Sequence, residues 1–226
     1  MTAPSLGSLN WTPAAEHPEL VAPPVAEALA ALTPDVWVAA IDDELADTAA
    51  FTEAYGVPSE ASANCVVVAA RRAGATRLAA CVVLATTRAD VNGLVRRHLD
   101  ARKASFAPQD VAVSTTGMAY GGITPIGLPA DVPVLVDAAV AAGEWLVIGS
   151  GIRGSKLAVA GSTLAALPGA VVLEGLGRPV AADGPAVEPS RPARAPDDSD
   201  VGWSEQSPAD DDRHYLENRP PHWGSD

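Results

Sequence analysis

Three glycines at Gly149, Gly151 and Gly154 spell G-x-G-x-x-G inside LVIGSGIRGSKLAVAGSTLAALPGAVVLEG, Leu146 to Gly175, with Glu174 closing a second apolar run. In a dinucleotide-binding turn such glycines bring a helix N-terminus against a pyrophosphate, and a downstream acid takes the ribose. Other chemistry-bearing residues are sparse. His98 has no second His, Cys or paired acid at metal spacing, so no metal site is expected. Cys65 and Cys81 sit in apolar, β-branched runs, where a thiol acts as a small core hydrophobe, so no disulfide framework is expected either.

The elements around the glycines argue against the dinucleotide turn. Lys156 to Ala160 alternates like a strand, Gly161 interrupts any helix, and Ser162 is the better N-cap, for a short TLAAL turn. Strand, turn, strand is the expected geometry. A Walker A reading fails as well, because GSGIRGSK has Ser155 where that motif needs Lys. No cofactor is expected, and NAD binding stands as the least favoured of three functional readings.

Upstream, Pro24 to Leu32 and Glu44 to Tyr55 read as helices with apolar faces, and VWVAAI between them as a strand. Asn64 to Ala70 and Leu78 to Ala85 are β-branched runs separated by RRAGAT, which predicts an antiparallel hairpin. Thr87 and Asp90 fit a capping box opening a helix with Val91, Leu94, Val95 and Leu99 on one face. Further on, GMAYGGITPIGLPADVPVLVD holds Gly117, Gly121, Gly122 and Gly127 with Pro125, Pro129 and Pro133. Glycine permits positive φ and proline removes donors, so this loop follows an irregular path. It is either a connector or a surface that offers backbone amides to a ligand.

The chain has 226 residues, 48% of them hydrophobic, which suits one domain of ordinary size plus some excess. No run is long and apolar enough for a membrane span, and MTAPSLGSLNWTP has no leader character. A soluble, cytoplasmic protein without a membrane partner is expected. Its net charge of −13 is unevenly spread: −9 over residues 1–59, +3 over 60–180 and −7 over 181–226. The bases of the middle cluster as Arg71, Arg72, Arg77 and as Arg96, Arg97, Arg102, Lys103, either a solvated face or a phosphate-facing patch. From residue 181 the composition turns to Pro, Asp and Ser, too poor in branched aliphatics to offset the entropy of ordering. The expected division is an N-terminal extension 1–20, a folded domain 21–180, and an acidic disordered tail 181–226.

From about Glu44 to Gly177 the chain resembles the YbaK-like aminoacyl-tRNA deacylases, which include the editing insertion domain of prolyl-tRNA synthetases. The resemblance is carried by the hairpin ANCVVVAARRAGATRLAACVVLA, by ARKASFAP, by the loop GGITPIGLP with PVLVD after it, and by GSGIRGSKLAV. It implies an α+β fold: a mixed, mostly antiparallel sheet of six or seven strands curled into a partly open barrel with flanking helices.

The resemblance further implies a hydrolase acting in trans on the ester that joins a wrong amino acid to the 3′ end of a tRNA, with aminoacylated tRNA as the partner. It implies catalytic positions at Asn64, Gly121, Gly122, Thr124 and Gly127, and substrate-binding positions at Pro125, Asp137, Ser150 and Gly151. Asn64 takes a position where the family usually carries a lysine, which exchanges a charged donor for a neutral amide. A second reading follows from that exchange, a YbaK-like module that binds tRNA or an aminoacyl ligand without turnover. Arg96, Arg97, Arg102 and Lys103 are the expected tRNA-phosphate contacts.

Overall fold

The computed structural model describes residues 3–31 and 36–180. The tail expected from 181 to 226 lies outside these. Near the N-terminus, buried Trp11 and Ala14 flank strand β1 (Thr12–Pro13), so the expected extension 1–20 is partly built into the fold. Helix α1 (Pro23–Ala31) and strand β2 (Trp37–Ala40) follow. The single helix expected over Glu44 to Tyr55 is divided: the Asp42 carboxylate accepts from Glu44 N and caps a 3-10 turn, Asp43–Leu45, and helix α2 (Thr48–Tyr55) starts afresh. Short acidic side chains competing for backbone amides account for the break.

Strands β3 (Ala63–Arg72) and β4 (Ala75–Leu84) pair antiparallel along their full length, as the hairpin signal predicts. Their two-residue turn, Ala73–Gly74, has positive φ at both positions (48° and 82°), as the mirror-image hairpin turn requires. Thr87 does not open a helix. It lies in strand β5 (Thr87–Ala89), and Asp90 alone caps a π-helical turn, Val91–Val95, accepting from Gly93 N and Leu94 N. Helix α3 (Arg96–His98), strand β6 (Lys103–Phe106) and helix α4 (Gln109–Thr116) lead to the glycine-rich loop. Beyond it come strand β7 (Val134–Asp137), helix α5 (Ala138–Ala141), strands β8 (Leu146–Gly149) and β9 (Ser155–Val159), helix α6 (Gly161–Ala165), and strands β10 (Ala170–Leu173) and β11 (Gly177–Pro179).

The fold is α+β with mixed, mostly antiparallel sheets, and the expected single curled sheet of six or seven strands is not formed. The order β10-β7-β4-β3-β6 makes a five-stranded sheet, β1-β2-β9-β8 a four-stranded one, and β11-β5 a ribbon. One bridge, Ser62 to Val147, is all that joins β8 to the start of β3. The reason is local: β8 is four residues long and runs straight into the Gly149–Gly154 turn, so that ladder cannot propagate, and β6 takes the same edge of β3 further along.

Alternate residues of β4 and β7 serve two cores. Val82, Val134 and Val136 pack with α1 residues Val25 and Leu29, whereas Cys81, Val83 and Leu135 pack with Val91, Val95 and Leu176. Covering both faces explains why these strands read as unbroken apolar runs. Among the described residues, no helix is long and apolar enough to cross a membrane.

Candidate functional site

The fingerprint glycines mediate close backbone packing. Gly151 N donates to Gly122 O at 2.7 Å and Ala119 N to Gly151 O at 2.8 Å, tying the glycine-rich loop to the β8–β9 turn. A methyl at Gly122 would sit inside 3.0 Å of the Ile152 backbone, and one at Gly149 inside 3.0 Å of the Gly122 and Ile123 carbonyl oxygens. Gly154 leads into β9, not into a helix. The helix N-terminus that a dinucleotide turn must open is therefore missing, and the NAD reading loses its structural basis.

Several loop amides that the sequence offers to a ligand are already engaged. Gly122 N donates to Ala119 O at 2.9 Å, and Thr124 N to Met118 Sδ at 3.4 Å. Gly127, at φ +83°, lies against the Pro24 backbone of α1, and Pro125 is buried. The amides of Gly121 and Ile123 make no hydrogen bond among the described residues. Thr124 is fully buried and its hydroxyl has no partner there, an arrangement that costs about 1–3 kcal/mol when nothing else satisfies the group.

Beside the first half of this loop, side chains from three elements converge on the start of α2. Asn64 Oδ1, on β3, accepts from Thr48 Oγ1 at 2.9 Å. Lys156 Nζ, on β9, donates to Ala46 O at 2.6 Å and lies 5.3 Å from the centroid of the Phe51 ring. Arg153, in the β8–β9 turn, donates to Asp43 O and pairs with Asp47 at 3.6 Å, and its guanidinium touches Gly121. Lys156 is only 8% exposed; burial pushes its pKa down to about 8, with Asp47 opposing that shift and Arg153 adding to it. The sequence leaves Lys103 and Lys156, the chain's two lysines, as alternative sources of the charge that Asn64 lacks; a strand-like alternation cannot show that the Lys156 amine returns to Ala46, which is distant in the chain.

Two expected substrate-binding residues have hydrogen-bond partners within the fold. Asp137 caps α5, with Oδ1 accepting from Ala139 N at 2.9 Å and Oδ2 from Gly177 N at 2.6 Å. Ser150 is fully buried, its hydroxyl donating to Ser155 O and receiving the Ser155 hydroxyl at 2.7 Å. Gly151, at φ +87°, packs on Ala22, Val25 and Met118.

The expected phosphate contacts separate into two places. Arg102 and Lys103 join the hairpin tip, where Arg71 pairs across β3–β6 with Lys103 and across β3–β4 with Thr76. Together with Arg72 and the Ala73–Ala75 turn they line an open groove of about 740 Å³. Arg72 is paired to Asp100, while Arg71, Arg102 and Lys103 are exposed. Arg96 and Arg97 stay on α3, outside the groove, with Arg96 Nε bound to Asn92 O. A second hollow of about 360 Å³ lies between Leu6, Pro58–Ala61 and Gly143–Leu146. Neither hollow is lined by Asn64 or the glycine-rich loop.

Residues 42–167, more than half of the chain, match the model of the aminoacyl-tRNA editing domain. The chain belongs to that family. Among solved structures, the editing domain resembles the hypothetical protein APE2540 with a TM-score of 0.60 and 21% identity, covering 69% of this chain and 99% of that one. It also resembles a structure described as a candidate trans-editing enzyme for prolyl tRNA synthetase, with a TM-score of 0.53 and 20% identity, covering 61% and 83%. At these identities the likeness is one of fold. No curated protein matches the chain in sequence. Within the matched span lie Asn64, the whole glycine-rich loop, the fingerprint turn and Lys156; the hairpin tip lies there too.

Proposed function

We propose that this editing domain hydrolyses, in trans, the ester of mischarged tRNA in the cytoplasm. One observation carries the reading: inside a chain of the editing family, Asn64, Lys156 and the unbonded amide of Gly121 gather around the start of α2, with the unbonded Ile123 amide two residues along the same loop. The chemistry asks for little more. A water oxygen adds to the acyl carbon while the carbonyl electron pair moves onto its oxygen. Collapse re-forms the carbonyl, breaks the bond to the ribose oxygen, and returns the proton lost by the water to that leaving oxygen. The loop amides serve as oxyanion donors and the orphaned Thr124 hydroxyl as a further one. Tyr120, 53% exposed beside Gly121, offers a face on which a terminal base can stack.

Purified protein mixed with alanyl-, seryl- and cysteinyl-tRNA, each mischarged on several tRNAs, tests the proposal. Release above the buffer rate for at least one species supports it; buffer-rate release across the panel rejects it. A second reading, a tRNA-binding module without turnover, draws on Asn64, which brings a neutral amide where the family resemblance expects an ammonium. Asn64→Lys separates the two, since turnover in the variant alone favours the lapsed enzyme.

A further inference from the structure

Lys156 is the one lysine of the described residues drawn into the interior, and nothing in the packing of β9 requires it. Its neighbours Leu157, Ala158 and Val159 are all fully buried and apolar. A lysine kept at such a position costs stability through desolvation unless its charge has a use. Only one of its three protons is accounted for, by Ala46 O.

The sheet register aligns it with Asn64. Two residues along each chain from the Ser62–Val147 bridge lie Asn64 and Gly149, and Gly149 pairs with Lys156, so Asn64 and Lys156 project from the same face. Their anchors agree with this: Thr48 and Ala46 are two residues apart, within about 7 Å. Asn64 has its oxygen occupied by Thr48, while its amide nitrogen makes no hydrogen bond among the described residues. The result is a pair of donors, one of them charged, with spare protons and no carboxylate oxygen within bonding distance. Asp47, the acid whose charge acts on Lys156, is 74% exposed and paired with Arg153.

We propose that Lys156 is the cation of the ester site, donating together with the Asn64 amide to an anionic oxygen of the bound aminoacyl end. That oxygen belongs either to the tetrahedral oxyanion or to the terminal phosphate. The proposal rests on the deacylase reading above, deepens it, and makes Lys156 the bearer of the charge that Asn64 lacks.

The groups facing Lys156 are Asp47 from the start of α2, Arg153 from the β8–β9 turn with its partner Asp43, and the uncharged Phe51 ring. The α-amino group of an aminoacyl ester also titrates near neutrality, so Lys156 is read from the difference between the wild-type and Lys156→Arg pH profiles, which share that substrate titration. Wild type, Lys156→Met and Lys156→Arg are compared on a mischarged tRNA that the wild type hydrolyses, with a thermal melt of each. Lys156→Met is expected to melt cooperatively and to lose kcat/KM by about 100-fold, as for loss of one oxyanion donor. Lys156→Arg is expected to keep activity within about threefold, because the charge and donors persist. The background-corrected wild-type rate, taken relative to that of Lys156→Arg, is expected to fall as pH rises through about 8. Loss in kcat assigns the oxyanion and loss in KM the phosphate; either outcome supports the proposal. Wild-type kcat/KM in Lys156→Met, or Lys156→Arg as damaged as Lys156→Met, overturns it.

Should the wild type hydrolyse nothing, the deacylase reading has failed, and uncharged tRNA decides the inference separately. Weaker binding of that tRNA by Lys156→Met, by about tenfold at low salt, upholds Lys156 as the cation for the phosphate. Unchanged binding overturns it.

Discussion

The Asn64 end of β3 and the hairpin tip at its other end, separated by the length of one ten-residue strand, handle charge in opposite ways. At the Asn64 end the donors are an amide, backbone N–H groups and a single buried ammonium, closed in by glycines that leave no room for a methyl. At the tip, arginines and a lysine stand in solvent around an open groove, and Gly74 has nothing within 4 Å of where a methyl would go. Burial makes one charge count for much and tolerate little; exposure makes several charges count for less each and tolerate substitution. Under the proposed function the two ends would divide the work, the buried end meeting one reacting oxygen and the exposed end attracting a polyanion.

The largest effect that would test this contrast is at the packed end. Gly122→Ala drives a methyl into the Ile152 backbone and is expected to destabilise the domain by about 3 kcal/mol or more, read by urea unfolding. A cost below about 1 kcal/mol would mean that the loop and turn are less tightly joined than described.

Next is the groove. Reversing Arg71 and Lys103 together to Glu is expected to weaken binding of tRNA about 30-fold at 50 mM salt and to flatten the dependence of log K on log salt by about two. Melting temperature is expected to hold, since both side chains are exposed. Unchanged binding at low salt would assign the groove to the solvated-face alternative.

A third effect turns on the sign of the Lys156 shift. Its folded-state pKa of about 8 lies below the ordinary lysine value, so between about pH 8 and 10.5 the unfolded chain binds more protons, and wild-type stability rises with pH across that window. Lys156→Met removes the penalty and is expected to stabilise the fold by about 1–3 kcal/mol at pH 7, with the gain shrinking toward pH 10.5. A fold that loses activity while gaining stability is the signature of a charge retained for function. The smallest effect is at the tip, where Gly74→Ala meets no atom but must hold φ +82°, for about 1 kcal/mol. A Gly74→Ala cost matching that of Gly122→Ala would erase the contrast.

The alternation and turn chemistry of ANCVVVAARRAGATRLAACVVLA made the hairpin legible, because local φ requirements and period-two patterning act within a few residues. The strand-turn-strand character of GSGIRGSKLAV was legible for the same reason. What escaped was association between distant strands. β8 pairs with β9 and only touches β3, which split the expected single sheet in two. At the site, Asn64 and the loop could be named through family resemblance, and Arg102 and Lys103 through charge clustering. The addition of Arg71 to their groove depended on β3–β6 register, and the commitment of Asp137 and Ser150 to structural hydrogen bonds on contacts such as that of Gly177 with Asp137, forty residues apart.

From its amino acids alone, this chain declared an editing-type α+β domain, an acidic C-terminal segment, a basic middle, and a loop whose glycines and prolines forbid regular structure. The editing type rests on motifs shared with a known family; the charge distribution and the irregular loop follow from composition and local backbone sterics, which need no partner. Tertiary structure alone decided that the fingerprint glycines let two loops touch, and that the Lys156 amine and the Asn64 amide both reach the start of α2. Close approach and desolvation arise only when segments far apart in sequence exclude water from each other.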